Sequence, residues 1–233
     1  MQQKKKGPHD HFYRARFPEF FRELPGHHVR PSAAAAFPGW LHRWEGAPSD
    51  EHGVYPYPDR YGHPTFGVGV APSTVEAFSG YAWRVVGGGP AMPDEMREAW
   101  DALRAFGPSN PFAARHFASI TKLRMPLNEA LSQTSRIVAE FEAHVPKYFP
   151  NYAAWPACVQ IAVMDMSYNA GPDIFASFPR FCEAMRAEDF VGASSQSDTR
   201  GTPGDRLAAR RAMLAFARAW QSPGFDMDEI PNY

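Results

Sequence analysis

Two carboxylic acids and one hydroxyl have residue types and a spacing that suit acid–base hydrolysis. Glu45 precedes Gly46, Asp59 lies in a segment rich in Pro, Gly and Tyr, and Thr65 follows Asp59 by six residues. Glycoside hydrolysis uses two carboxyl groups that flank the scissile bond. Taken singly, each residue has an ordinary structural explanation, because Glu-Gly is a common helix end and Asp is a common turn former. Their joint occurrence makes this segment the first candidate for catalysis.

The same segment resembles the catalytic segment of the phage-type lysozymes, the peptidoglycan muramidases of glycoside hydrolase family twenty-four. That family has a Glu-Gly at a helix end, then a loop Asp, then a Thr six residues later in a "G-x-x-T-x-G-x-G" hairpin. Gly62-His-Pro-Thr65-Phe-Gly67-Val-Gly69 reproduces this hairpin. The interval from Glu45 to Asp59 is longer than in compact members of the family, and Val70 stands where many relatives have His.

Two later blocks resemble the family in the same order along the chain. Gln160-Ile-Ala-Val-Met-Asp-Met-Ser-Tyr-Asn-Ala-Gly171 is similar to its buried central helix, which ends in a "Y/F-N-x-G" turn. Asp205-Arg206-Leu-Ala-Ala-Arg210-Arg211 is similar to its late arginine-rich helix. The resemblance is therefore carried by three blocks, within residues 40–73 and 125–218.

The resemblance implies hydrolysis of the β-1,4 bond between N-acetylmuramic acid and N-acetylglucosamine, with net inversion. Glu45 is then the general acid, Asp59 the carboxylate that orients or activates water, and Thr65 the hydroxyl that holds this water or contacts the sugar. Inverting enzymes place the two carboxyl groups about 6.5–9.5 Å apart. Asp50 and Glu51 lie between Glu45 and Asp59 and are rival carboxylates.

Further residues are candidates for substrate contact. Tyr55, Tyr57 and Tyr61 either stack on sugars or pack within an aromatic loop, and the two interpretations are equally weighted. Asn169 borders the sugar cleft or ends a helix, again with equal weight. The resemblance implies that Arg206 contacts the general acid Glu45, as a late arginine does in the family. Arg210 and Arg211 compete for that role.

Hydrophobic periodicity predicts a mainly α (α+β) fold. Together with the resemblance, it gives a two-lobed lysozyme-like arrangement with a small β-hairpin lobe and a helical lobe around a buried central helix. The predicted divisions are an N-terminal extension at 1–39, and a catalytic domain at 40–233 with a small lobe at 40–73, an insertion at 74–120 and a helical lobe at 125–222. The predicted elements are a helix over 40–45, a hairpin within 46–73, a helix from Pro93, a helix over 127–145 that Pro146 stops, a buried helix over 157–169, and helices near 179–190 and 203–219.

Composition excludes several other classes of protein. The net charge of −1 lacks the basic excess typical of nucleic-acid binders. Two cysteines do not form a disulfide framework, so we expect two small core residues. Nine histidines form no HExxH motif, so we predict no metal and no cofactor. The apolar runs are too short to span a bilayer, so we predict no membrane insertion.

The expected substrate and the N-terminal residues predict where the protein is made and where it acts. The first residues are basic but lack the apolar run of a signal peptide, so we expect synthesis in the cytoplasm and non-classical export. Both a phage endolysin and an antibacterial effector of a contact-dependent apparatus such as type VI secretion fit this expectation. An effector predicts an immunity protein or a secretion-apparatus component as partner. The alternative function is a non-catalytic peptidoglycan-binding or structural module on the same fold.

Overall fold

The computed structural model of the chain describes residues 28–45, 54–59, 61–67, 69–108 and 117–231. The fold is mainly helical with two small antiparallel sheets, which confirms the predicted mainly α class. In the described part of the chain, no helix is long and apolar enough to cross a membrane. The elements are α1 (Pro31–Glu45), β1 (Tyr57–Pro58), β2 (Pro64–Thr65), α2 (Val75–Ser79), β3 (Arg84–Val85), α3 (Pro93–Phe106), β4 (Leu123–Arg124), α4 (Leu127–Tyr148), α5 (Ala157–Ala170), α6 (Pro179–Arg186), α7 (Phe190–Ser195) and α8 (Gly204–Phe216), with 3₁₀ turns at Tyr152–Ala154, Ile174–Ser177 and Ala217–Ala219.

The chain divides into two compact units, one formed by Glu45–Thr134 and the other by Met1–Trp44 with Ser135–Tyr233. The segment 74–120, predicted as an insertion, lies in the same unit as the hairpin. The predicted lobe boundaries at 40, 73 and 125 stay predictions. The division between the two units falls inside α1 and inside α4, where hydrophobic periodicity gives no boundary.

The unit formed by 45–134 is built on two short strand pairs and an aromatic core. β1 pairs antiparallel with β2, and β3 pairs antiparallel with β4. Phe66 and Val70 exchange two backbone hydrogen bonds of 3.0 and 2.9 Å, which close the glycine-rich turn after β2. Behind this turn the Phe66 and Trp83 ring centroids are 5.1 Å apart. The predicted hairpin within 46–73 is therefore present, and its Phe66 ring packs in a buried aromatic cluster.

The helix that begins at Pro93 has the start signals that its sequence indicates. Proline lies in the first turn, where its missing N–H costs no helical hydrogen bond. Glu95 Oε2 accepts a 2.8 Å hydrogen bond from the backbone N–H of Met92. This bond satisfies one of the donors left open at the helix start.

The other unit is organised around α5, which is buried on every side as predicted. Each residue from Ala157 to Ser167 is buried. Gln160 holds neighbouring segments at the helix, since its Nε2 donates to the Tyr152 carbonyl at 2.9 Å and its Oε1 accepts from the Arg30 N–H at 2.8 Å. A buried amide needs such partners, because an unsatisfied one is costly.

Asp165 lies at the centre of this unit and is fully buried. Its Oδ1 accepts hydrogen bonds from Trp40 Nε1 at 2.7 Å and from Arg206 Nε at 2.9 Å. Its Oδ2 accepts a 2.7 Å bond from Arg210 Nε. Burial lowers the pKa of Arg210, and the nearby carboxylate opposes that shift. One carboxylate thus links α1, α5 and α8.

Three predicted helix boundaries need correction. α1 begins at Pro31, not near residue 40, because proline suits a helix start and the alanines at 33–36 favour helix. α4 continues through Pro146 to Tyr148, since a proline near a helix end removes a single internal hydrogen bond. The helix predicted near 179–190 is two helices, separated where Glu188 adopts a φ of +59°. The predicted helical patch around Phe17–Leu24, within the extension 1–39, lies outside the described residues.

Both cysteines are free and buried, as the sequence predicts. Burial raises the pKa of the Cys158 thiol from 9.0 to about 12 and also raises the pKa of Cys182. A raised pKa in the folded state means that the unfolded chain loses its proton first. The stabilising contribution is complete below about pH 9 and is lost as the pH rises toward 12.

We therefore expect alkaline destabilisation that depends on Cys158. Between pH 9 and 11 this thiol lowers the free energy of unfolding by up to about 1.4 kcal/mol per pH unit. Denaturant unfolding of wild type and Cys158→Ala at several pH values measures the effect, and the variant should lose less stability per pH unit. Identical pH slopes in the two proteins would contradict the burial of this thiol.

Candidate functional site

Glu45 is the last residue of α1, as the Glu-Gly pair predicts, and its carboxylate lies against the end of the hairpin. The contact is made with Gly69, whose φ is +78°. A Cβ built on Gly69 would lie 3.0 Å from Glu45 Oε2. Glycine at this position therefore satisfies two requirements, a left-handed backbone and close approach of a carboxylate.

Asp59 follows β1 directly and holds the turn that joins β1 to β2. Its Oδ1 accepts two hydrogen bonds of 2.8 Å, from the backbone N–H groups of Tyr61 and His63. Its own N–H donates to the His63 carbonyl at 2.9 Å. Oδ2 accepts no hydrogen bond from the described residues, so one oxygen fixes the carboxylate and the other is available to a water or substrate.

Thr65 lies on β2 directly opposite Tyr57 on β1. Its side chain is buried, and its hydroxyl donates to the His63 carbonyl at 3.0 Å. A hydroxyl oxygen that donates one bond still has acceptor lone pairs. Thr65 can therefore accept a hydrogen bond from a water or a sugar hydroxyl while it keeps the turn closed.

Tyr57 is the residue that links the two candidate carboxylates. Burial raises the pKa of its phenol well above the ordinary 10, and the negative charges of Glu45 and Asp59 raise it further. Both carboxylates are therefore close enough to the phenol to act on it electrostatically. On its other side the Tyr57 ring stacks with Phe117, with centroids 6.3 Å apart. Glu45, Asp59 and Tyr57 all belong to the unit formed by 45–134.

This arrangement supplies two carboxyl groups, a hydroxyl acceptor and a phenol that stays protonated at any physiological pH. The phenol donates a hydrogen bond and bears no charge of its own. It therefore adds no third negative charge near Glu45 and Asp59. The sequence nominates Tyr57 for stacking and gives no signal of this electrostatic effect.

Asn169 and Arg206 lie in the other unit, and their hydrogen bonds there are structural. Asn169 Nδ2 donates to the hydroxyls of Thr199 and Thr202, at 3.0 and 2.9 Å. Arg206 is buried, with Nε and Nη2 at 2.9 and 2.8 Å from Asp165 Oδ1. The Asn169 bonds join the end of α5 to the segment 199–202 and are not helix-cap bonds, and the sugar contacts of both residues stay predictions.

Asp50 and Glu51, the rival carboxylates for the acid role, lie outside the described residues. In the described part of the chain, no group of three or more His, Cys, Asp or Glu side chains is arranged to hold a metal ion. Asp165, the most buried carboxylate of the helical unit, was not identified from sequence, because its two arginine partners lie 41 and 45 residues away.

If Glu45 is the general acid that the sequence predicts, Gly69→Ala should reduce the rate of peptidoglycan cleavage by about 10- to 100-fold. The reason is that a Cβ at this position displaces the Glu45 carboxylate. The positive φ should also cost about 1 kcal/mol of stability. Gly87→Ala is the matched control, since Gly87 has a φ of +74° and a Cβ built on it would have nothing within 4 Å. Denaturant unfolding should show similar losses for both variants, and only Gly69→Ala should lose activity. Equal activities would contradict the proximity of Gly69 to a working Glu45.

Comparisons of this chain with known protein families, with curated proteins and with solved structures give no match. An account of its function therefore depends on the chemistry of the site. The candidate residues of that site are the carboxylates Glu45 and Asp59, the Tyr57 phenol and the hydroxyl of Thr65.

Proposed function

We propose that the protein is a peptidoglycan hydrolase that cleaves the β-1,4 bond between N-acetylmuramic acid and N-acetylglucosamine with inversion. The observation that carries the proposal is the position of the Glu45 carboxylate against Gly69, at the end of the hairpin whose first turn Asp59 holds. The raised pKa of the Tyr57 phenol, to which burial and then the charges of Glu45 and Asp59 contribute, agrees with it. The two later sequence blocks, at 160–171 and 205–211, agree with the same family resemblance.

In the proposed reaction Glu45 donates its proton to the glycosidic oxygen as the bond from the sugar C1 to that oxygen breaks. Water attacks C1 from the opposite face and passes a proton to Asp59. The product has a new C1 hydroxyl, while Glu45 ends as a carboxylate and Asp59 as an acid. Both side chains return to their starting state by exchange of one proton with solvent.

The hydrogen bonds around Asp59 suit the role of base. Oδ1 is occupied by two backbone N–H groups, which keep the carboxylate in one orientation. Oδ2 then accepts the proton of the attacking water, and Thr65, whose hydroxyl lies in the paired strand, holds that water.

We also propose the two-lobed lysozyme-like fold that the resemblance implies. In that fold the unit formed by 45–134 is the small lobe, enlarged by 74–120, and the buried helix α5 is the axis of the helical lobe. The substrate of such an enzyme lies in the cell wall. The proposal therefore includes export to the periplasm or wall, either as an endolysin or as a delivered effector.

A non-catalytic peptidoglycan-binding module is the second candidate, and one observation favours it. The two hydrogen bonds to Asp59 Oδ1 explain the presence of this aspartate as a turn residue without any catalysis. Such a module would bind the polymer and leave its bonds intact.

Purified peptidoglycan separates these functions in one experiment. We expect the purified protein to release new reducing ends with time and no new free amino groups, as a glycosidase does. Release of amino groups without reducing ends would identify a peptidase or amidase and overturn the proposal. Co-sedimentation with peptidoglycan in the absence of any cleavage would favour the binding module.

A further inference from the structure

The turn between β1 and β2 packs against the C-terminal end of α3 and leaves two aromatic rings exposed. A Cβ built on Gly62 would lie 3.2 Å from backbone atoms of Gly107 and Pro108, so the two segments are in close contact. The residues that precede this contact in each segment are Tyr61 and Phe106, which are 60% and 55% exposed. Among the described residues they are the aromatic side chains that the fold leaves mostly in solvent.

Polar side chains of the same two segments lie near the Tyr61 ring and near one another. The Tyr61 and His63 rings are 6.4 Å apart between centroids, and His63 Nδ1 is 3.4 Å from Arg104 Nη1. Arg104 forms no ion pair with an acidic side chain of the described residues. We call the surface formed by Tyr61, His63, Arg104 and Phe106 the aromatic face.

The aromatic face is continuous with the candidate catalytic residues. Phe106 contacts Phe117 edge to face, with centroids 5.5 Å apart, and Phe117 stacks on Tyr57. Asp59 fixes the same turn from the other side, through the N–H groups of Tyr61 and His63. The face and the carboxylates therefore belong to one packed structure within the unit formed by 45–134.

The chemistry of the face fits a sugar polymer that carries negative charge. Exposed aromatic rings with adjacent hydrogen-bond donors present an apolar body and a polar edge, as sugar rings do. A guanidinium binds carboxylates through two parallel hydrogen bonds. The peptides attached to peptidoglycan contain carboxylates, whereas a strand of N-acetylglucosamine alone is neutral.

We propose that the aromatic face is an outer saccharide subsite of the enzyme. Tyr61 and Phe106 stack on N-acetylhexosamine rings beyond the scissile bond, and Arg104 binds a carboxylate of the attached peptide. This inference rests on the proposed function and adds a determinant of substrate recognition to it. It also gives 74–120 a purpose, because α3 supplies half of the face.

Binding measured without cleavage tests the subsite. The full chain with Glu45→Gln is titrated with two probes, a neutral tetramer of β-1,4-linked N-acetylglucosamine and soluble peptidoglycan fragments of two disaccharide-peptide units. Tyr61→Ala and Phe106→Ala should each weaken binding of both probes by about 3- to 10-fold. Arg104→Gln should weaken binding of the peptidoglycan fragments by a similar factor and leave the neutral tetramer unaffected.

Val86→Ala is the control, because Val86 is 54% exposed in the same unit and lies outside the aromatic face. It should bind both probes as the parent does, and thermal unfolding checks that every variant is folded. Unchanged affinities in folded Tyr61 and Phe106 variants would overturn the subsite, even if the wild type cleaves peptidoglycan. Equal weakening of both probes by Arg104→Gln would overturn the assignment of the carboxylate.

Failure of the proposed function gives a different result. If the wild type releases no reducing ends and the face variants still lose affinity, the catalytic proposal fails and the saccharide-binding face stands. Absence of binding to both probes by the folded Glu45→Gln parent would overturn the inference directly.

Discussion

Glu45→Gln is expected to reduce the rate of peptidoglycan cleavage by about 10²–10⁴-fold, since this is the usual contribution of a general acid. Glutamine has nearly the same size as glutamate, so its side chain can still pack against Gly69. The substitution removes the transferable proton and little else. Initial rates of reducing-end release from purified peptidoglycan measure the effect.

Glu76→Gln is the matched control. Glu76 belongs to the same unit, and its carboxylate is 75% exposed and lies 3.9 Å from Arg97. Exposed pairs of this kind contribute little to stability, so the variant should fold and cleave like the wild type. If Glu45→Gln kept more than a tenth of the wild-type rate, Glu45 would not be the acid, and Asp50 and Glu51 would be the next carboxylates to substitute.

Asp165→Asn is expected to have the largest effect on stability, a loss of about 3–5 kcal/mol. The carboxylate is fully buried and binds two buried arginines and the indole of Trp40. Asparagine fills the same space but leaves the guanidinium groups of Arg206 and Arg210 without their counter-charge. A typical domain has a free energy of unfolding of about 5–15 kcal/mol, so the loss is a large fraction of the total. Denaturant titration with a two-state analysis measures it.

A neighbouring aspartate on the surface provides the comparison for Asp165. Asp198 is 62% exposed and lies 4.0 Å from Arg211, which belongs to the same helix as the buried arginines. Asp198→Asn should change the free energy of unfolding by less than about 1 kcal/mol. A similarly small change for Asp165→Asn would mean that the two arginines do not depend on this carboxylate.

Local sequence signals predicted the hairpin and one helix end better than they predicted the other helix boundaries. The β-type residues between glycines at 65–70 predict a hairpin within 46–73, and the structure forms one there. The Glu-Gly pair places a helix end at Glu45, where α1 ends. These features depend on a few adjacent residues, so local chemistry is sufficient to identify them.

Contacts between residues far apart in the chain could not be predicted from local sequence signals. An aspartate in an apolar helix gives no sign of two arginines 41 and 45 residues later, so the role of Asp165 required the structure. The same applies to the approach of Gly62 to Gly107, which creates the aromatic face. Glu188 breaks the helix predicted near 179–190 by a left-handed conformation that its residue type rarely adopts.

Two residues of the proposed site also hold its structure. Asp59 closes a turn through Oδ1, and Thr65 holds the same turn through the His63 carbonyl. In the proposed mechanism, a base and a water-binding hydroxyl on one hydrogen-bonded turn are positioned together before the reaction. We therefore expect the turn to be the most sensitive part of the site to substitution.

The chemical identity of the new chain end tests the central claim most directly. Peptidoglycan is digested with wild-type protein, the products are reduced with borohydride, and the terminal sugars are identified by mass spectrometry. The proposed muramidase predicts reduced N-acetylmuramic acid at the new ends, absent from the Glu45→Gln digest. New ends of reduced N-acetylglucosamine, or intact glycan strands after prolonged digestion, would contradict the account.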